Sequence, residues 1–117
     1  MSVSQLIARM RQYPEQIQFA EVMAVIADHY DYTPTAFRNG DTDNAAGRNE
    51  GSCKLFAFAR LNGLSQAETL VCFGDYYRLD VLQHPDGTDH ANIRDFIAHG
   101  WDGIAFDGEP LQPKAAD

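Results

Sequence analysis

Residues 53–62 read Cys53-Lys54-Leu55-Phe56-Ala57-Phe58-Ala59-Arg60-Leu61-Asn62, and this stretch decides the fold. Leu55, Phe56, Phe58, Ala59 and Leu61 cover most of a helical wheel, the pattern of a helix buried on nearly all sides. Such a helix needs other elements around it, so it is placed at the centre. Asn62-Gly63 ends it. The run before it, residues 39–52 (NGDTDNAAGRNEGS), is polar and glycine-bearing with no periodicity to drive packing, and reads as one long central loop.

Towards the N-terminus, Ser2 or Ser4 can cap a short helix carrying Leu6, Ile7 and Met10, which Pro14 ends. Apolar residues then recur as Ile17, Phe19, Val22, Met23, Val25, Ile26 and Tyr30, which predicts a helix over 15–30. Asp31 to Pro34 breaks it, and Thr35 to Arg38 reads as extended before the turn dipeptide Asn39-Gly40. Towards the C-terminus, Ser65-Gln66-Ala67-Glu68 fits a capping box. The helix it opens meets Gly74 and continues, with a bend or break, towards Val81-Leu82. His84 to Gly87 is a turn, Thr88 caps a last helix with Asp89 near its positive end, and Gly100 stops it. Trp101 to Phe106 reads as extended.

The expected fold is therefore mainly α, a compact single domain of about five helices with a long polar central loop. A two-stranded ribbon of residues 35–38 with 103–107 is its only expected β structure. The domain spans 1–108, and the tail 109–117, with Pro110 and Pro113, is expected to fray.

At 117 residues, 44% of them apolar, the chain can build one core and not two. Nine Lys and Arg against 17 Asp and Glu give a net charge of -8, a field that repels phosphate backbones and anionic headgroups. Nucleic acid and membrane surfaces are thus excluded as expected partners, which leaves a protein or a small molecule. The N-terminus has no secretory h-region and no stretch is long and apolar enough to span a bilayer, so the cytoplasm is the expected location; a type III secretion signal has no physical signature to read here. Cys53 and Cys72 form no C-x-x-C pair and read as reduced, buried thiols.

The run from Phe37 to Gly108 resembles the HopJ type III effector family. The resemblance is carried by NEGSCKLFAFA (49–59), CFGDYYR (72–78), HPDGTDHANIR (84–94) and GWDGIAF (100–106), over about two thirds of the chain. Residues 4–30 match only in general character. The family is named for a protein that a bacterial pathogen delivers into plant cells, and similar sequences occur widely among bacteria. The resemblance implies an effector-type protein acting on a host and brings no catalytic residues to transfer.

Several constellations carry chemistry. Cys53 follows Gly51-Ser52 in the first turn of a helix, where free N–H groups favour a thiolate; His90 or His84 would be the base of a cysteine hydrolase or transferase, with Asn49 or Asn92 orienting it. The plainer reading makes Cys53 a small core residue. Asn39, Asp41, Asp43 and Glu50 occupy positions 1, 3, 5 and 12 of an EF-hand-like register, but Asn44 stands where the sharp turn needs glycine. An Asn/Asp/Gly loop folded by its own side chains explains them equally. His84, Asp86, Asp89 and His90 match no established zinc spacing. The segment 47–54 is not a phosphate-binding P-loop, although its helix start beside Arg48 and Lys54 can hold a small anion. Tyr76, Tyr77, Arg78, Arg94 and Trp101 are of types enriched at binding surfaces and equally suited to a core boundary.

No cofactor is expected. The leading reading is a non-enzymatic binding module. Its recognition surface combines the polar loop (Asn39, Asn44, Asn49), the helix start (Ser52, Lys54) and the faces bearing Tyr77, Arg78, His90, Asn92, Arg94 and Trp101. The alternative is the enzyme built on Cys53.

Overall fold

The computed structural model describes residues 1–114; the last three residues of the expected frayed tail, 115–117, lie outside the described residues. The elements are α1 (Val3–Gln12), a 3-10 turn (Pro14–Gln16), α2 (Phe19–His29), β1 (Tyr30–Tyr32), β2 (Phe37–Asn39), β3 (Thr42–Asn44), α3 (Glu50–Leu61) and α4 (Gln66–Val71). A π-helical segment (Tyr76–Val81), α5 (Ala91–His99), a 3-10 turn (Gly100–Gly103), β4 (Ile104–Phe106) and β5 (Leu111–Pro113) follow. No described helix is long and apolar enough to cross a membrane.

The mainly α expectation is corrected: helices of all kinds take 54% of the described residues and strands 13%, in two sheets, so the architecture is mixed α/β. One sheet has the order β3-β2-β4, all antiparallel. The other pairs β1 with β5, with Tyr32 opposite Leu111. Residues 37–39 do lie beside 104–106, but inside a three-stranded sheet and not as a lone ribbon. Residues 111–113, expected to fray, are held by the pairing with β1 and by the buried Leu111 side chain.

The long central loop is also corrected. Its first half is a β-hairpin whose two-residue loop is Gly40-Asp41, with Asn39 opposite Thr42 and Phe37 opposite Asn44. Gly40 has a φ of +56°, as a type II′ hairpin turn needs at its first position. The hairpin alternates as strands do, with Phe37, Asn39 and Asn44 inward and Arg38 and Asp43 outward. Only residues 45–49 remain as loop before α3.

Helix α3 is the axis of the core. Phe56 is fully buried among Phe37, Phe73, Phe96 and Trp101, with ring centroids 4.9–6.4 Å away. Burying a ring of that size stabilises the fold by about 2–3 kcal/mol. Arg60 takes the outer face, bonding the Ile104 carbonyl and lying over the Trp101 and Phe106 rings, while Leu61, placed inward by the wheel, is exposed.

Helix α2 starts at Phe19, later than its apolar run, where the Glu21 carboxylate reaches back to accept from the Gln18 N–H at 3.2 Å. Gly74, at φ +61°, ends the α4 region. A Cβ there would sit 2.8 Å from the Phe19 backbone nitrogen, so this close approach admits only glycine. The chain then widens into the π-helical segment, where the Leu82 N–H donates to the Tyr77 carbonyl at 2.9 Å.

Candidate functional site

Four asparagines from three elements and a loop meet at the ends of α3 and α5. Asn39 Nδ2 donates to the Asn92 carbonyl at 2.7 Å and to Asn92 Oδ1 at 3.1 Å. Asn44 and Asn92 exchange side-chain hydrogen bonds, and Asn49 Nδ2 donates to Asn44 Oδ1 at 2.7 Å. Asn39, Asn44 and Asn92 are buried and Asn49 stands at the rim. In a low-dielectric interior such an array is strong because each amide polarises the next, and it locks β2, β3 and α5 together.

The network forms one edge of an open cleft of about 410 Å³. Asn49 and Ser52 from the start of α3, and His90 and Asn92 from the start of α5, supply its polar side, with Thr42 between them. Phe19, Phe73 and Tyr76 supply the apolar wall. Phe19 stacks on Phe73 at 6.1 Å and meets the edge of Tyr76 at 5.5 Å. Gly51 lets the Phe19 ring in, since a Cβ there would lie 2.8 Å from its Cζ.

Both helices open on a left-handed residue: Asn49 has φ 50° and His90 φ 51°. Neither gives a side-chain cap, so the first N–H groups of both helices carry no capping side chain beside the cleft. A non-glycine residue in this region costs about 1–2 kcal/mol, which the surrounding bonds must offset. For His90 they are identifiable: its Nε2 lies 3.0 Å from an Asp80 carboxylate oxygen, and its ring packs 5.3 Å from Tyr76.

The other sequence-predicted residues lie elsewhere. Cys53 is 1% exposed; its sulfur faces the Thr35 carbonyl at 3.6 Å, and burial, then the charge of Glu50, push its thiol up to about 11. That is the reverse of an activated nucleophile. His84 is exposed in the turn before α5, outside the cleft lining. The EF-hand-like register is undone by the hairpin: Asn39 points inward, Asp43 outward by Arg38, and Asp41 towards His99. Asp41, Asp43 and Glu50 form no metal-holding group among the described residues. Nor do His84, Asp86, Asp89 and His90.

Arg78 spends its guanidinium on the Pro14 and Ile17 carbonyls and on Asp75. Arg94 bonds the Asp89, His84, Pro85 and Asp80 carbonyls and the Asp89 carboxylate. This clamp holds the chain open up to Asp89, so α5 begins at Ala91 and not at a Thr88 cap. Trp101 donates to the Leu64 carbonyl, Lys54 lies over the Tyr32 ring, and Tyr77 packs against the core. Of the cleft residues, the sequence marks Phe19 as an apolar helix position and Phe73 only as part of the CFGDYYR motif, and it gives no signal for Thr42; the aromatic type of the two rings is the one feature that points to the wall.

Fold and cleft together define a small mixed α/β domain with a polar network fixed beside an aromatic wall. The chain belongs to the HopJ type III effector protein family, which it matches over residues 3–111, so the two N-terminal helices fall within the family as well. It is also similar to the crystal structure of VPA0580, a protein of unknown function. The two share 51% identity and a TM-score of 0.96, over 97% of this chain and 95% of the other. No curated protein matches the chain.

Proposed function

We propose that this HopJ-family domain is a non-enzymatic binding module whose cleft takes a small ligand with a flat apolar group and a hydrogen-bond-accepting end. The observation that carries this reading is that Asn49 and Asn92, from the starts of two helices, are held by one amide, Asn44, opposite the rings of Phe19 and Tyr76. Polar groups fixed in place next to an apolar wall are what ligand recognition requires, because little ordering remains to be done on binding. The uncapped N–H groups of α3 and α5 favour an acceptor at the polar end. The sealed Cys53 thiol supports recognition over catalysis. The family description, type III effector protein, supports a role in which the domain acts on a host by binding.

The test is a titration of ¹⁵N-labelled protein with benzoate, followed by amide chemical shifts at millimolar concentration, the range expected for so small a probe. The reading expects saturable shifts at Gly51, Ser52, Ala91 and Asn92, reduced by Phe19→Ser and absent with cyclohexylamine. Shifts that are scattered over the surface, or that fail to saturate, would overturn it.

A further inference from the structure

We infer a second binding site, separate from the cleft: the groove between α3 and β5 takes a short apolar peptide with both ends free, its carboxylate on Arg60 and its ammonium on Glu109. The groove, about 490 Å³, is lined from α3 by Ala57, Arg60 and Leu61, and from the C-terminal segment by Phe106 and residues 108–113. It shares no residue with the cleft. Ala57 and Leu111 are buried beneath it, while Leu61, 54% exposed, leaves a large apolar side chain in water at its edge.

Charge sets the two ends. Arg9, Arg11, Arg38, Arg78 and Arg94 each meet a carboxylate, whereas Arg60 meets none among the described residues. Its guanidinium is held instead over the Trp101 and Phe106 rings, at 5.4 and 5.3 Å, and spends one N–H on the Ile104 carbonyl at 3.3 Å. The remaining N–H donors of this oriented, exposed cation suit a carboxylate, which a guanidinium binds two-pronged. Glu109 is the one acid that lines the groove. Gln112 Nε2 donates to its Oε2 at 2.6 Å and so orients it, and no cation meets it among the described residues. One unpaired cation and one unpaired acid disfavour a polyanion and a polycation alike and complement a zwitterion.

The backbone between those charges calls for a peptide. Thr33 N–H donates to the Pro110 carbonyl and Lys114 N–H to that of His29, so positions 110, 112 and 114 face β1. Leu111 and Pro113 therefore turn their backbone groups to the other edge of β5, the one on the groove side, since β5 lines the groove and β1 does not. An extended peptide laid along that edge pairs with the Leu111 N–H and carbonyl and sets its apolar side chains against Leu61 and Phe106.

The probe is the tripeptide Leu-Ala-Leu with free ends, compared with its N-acetylated and its C-amidated forms by titration of the ¹⁵N-labelled chain. The free peptide is expected to give saturable amide shifts at Ala57, Leu61, Gly108 and Leu111 at millimolar concentration, and blocking either end is expected to weaken it at least about threefold. Arg60→Gln is expected to remove the difference between free acid and amide and to keep that between free amine and acetyl. Glu109→Gln is expected to do the opposite. Leu61→Ser is expected to weaken all three forms alike. Thermal unfolding is expected to be unchanged by Glu109→Gln and Leu61→Ser, because both side chains are exposed. No saturable shifts, equal affinity for the three forms, end effects that survive both charge variants, or shifts centred on Gly51 and Ser52 would overturn the proposal. So would self-association that Leu61→Ser abolishes, or peptide binding that appears only when residues 115–117 are removed, since the occupant would then be a second copy or the chain's own end.

Discussion

Asn44 and Asn92 exchange a pair of side-chain amide bonds, Nδ2 of Asn44 to Oδ1 of Asn92 at 3.1 Å and Nδ2 of Asn92 to Oδ1 of Asn44 at 3.0 Å. Each oxygen accepts again, from Asn39 on one side and Asn49 on the other. Asn92→Ala therefore removes three side-chain hydrogen bonds in a buried place at once, while Asn39 Nδ2 keeps the backbone carbonyl of residue 92 and Asn44 Oδ1 keeps Asn49. It is expected to lower unfolding free energy by about 2–4 kcal/mol, more than a single neutral hydrogen bond is worth, because the buried amide hydrogens that lose their acceptor keep their desolvation cost. Urea denaturation measures it. A loss under about 1 kcal/mol would mean that the network contributes little and that the cleft edge is not fixed by it.

Two glycines separate backbone from side-chain crowding. Both Gly40 and Gly74 have positive φ, and an added Cβ would run into the His99 ring in the first case and meet the Phe19 backbone nitrogen at 2.8 Å in the second. The half-exposed His99 ring can swing away, whereas the start of α2 cannot. Gly74→Ala is expected to cost about 2–4 kcal/mol and Gly40→Ala about 1–2 kcal/mol, by thermal or urea unfolding. The reverse order would show α2 to be the more yielding of the two neighbours.

How much of this was legible beforehand depended on where the chain uses apolar residues. CKLFAFARLN announced a buried helix because its side chains are greasy on most faces, and the structure puts Phe56 at the centre of the core. The hairpin of β2 and β3 stayed hidden because its inward residues include Asn39 and Asn44, so a search for alternating apolar residues finds nothing. β5 stayed hidden for a related reason: Leu-Gln-Pro has one apolar residue and a proline that an edge strand alone tolerates. Asn39, Asn44, Asn49 and Asn92 were each singled out, yet their meeting is a tertiary fact that no spacing encodes. Arg78 and Arg94 misled because an arginine that clamps carbonyls and one that waits for a ligand look alike in a sequence.

The thiols predict an alkaline limb of stability. Burial pushes Cys53 to about 11 and Cys72 to about 12, from an ordinary 9.0. Above pH 9.0 the unfolded chain gives up thiol protons that the folded chain retains, so the unfolded state binds fewer protons and stability falls as pH rises. The contribution is whole below that pH and lost progressively up to the folded values. Cys53→Ala is expected to flatten the slope of unfolding free energy between pH 9.0 and 11, by up to about 1.4 kcal/mol per pH unit. The same burial predicts that a thiol reagent leaves both cysteines of the native protein unlabelled at about pH 8 and labels both in urea. Rapid native labelling of Cys53 would restore the case for a reactive nucleophile.

At the acid end the informative group is Glu68. The Ser65 backbone N–H, then the Arg11 guanidinium, hold its carboxyl below the ordinary 4.5. A lowered carboxyl stabilises the fold above its unfolded value, and that contribution fades as pH falls from about 4.5 through the folded one. Glu68→Gln keeps the shape of the capping box and removes the charge, so it is expected to cost about 0.5–1 kcal/mol at neutral pH and almost nothing at about pH 2. Most of that loss belongs to the cap and not to the ion pair, because Arg11 has 60% of its side chain in water. Arg11→Gln should accordingly cost only a few tenths of a kcal/mol, and the two variants compared by urea denaturation at both pH values separate the terms. An Arg11→Gln loss as large as that of Glu68→Gln would assign the stabilisation to the ion pair instead.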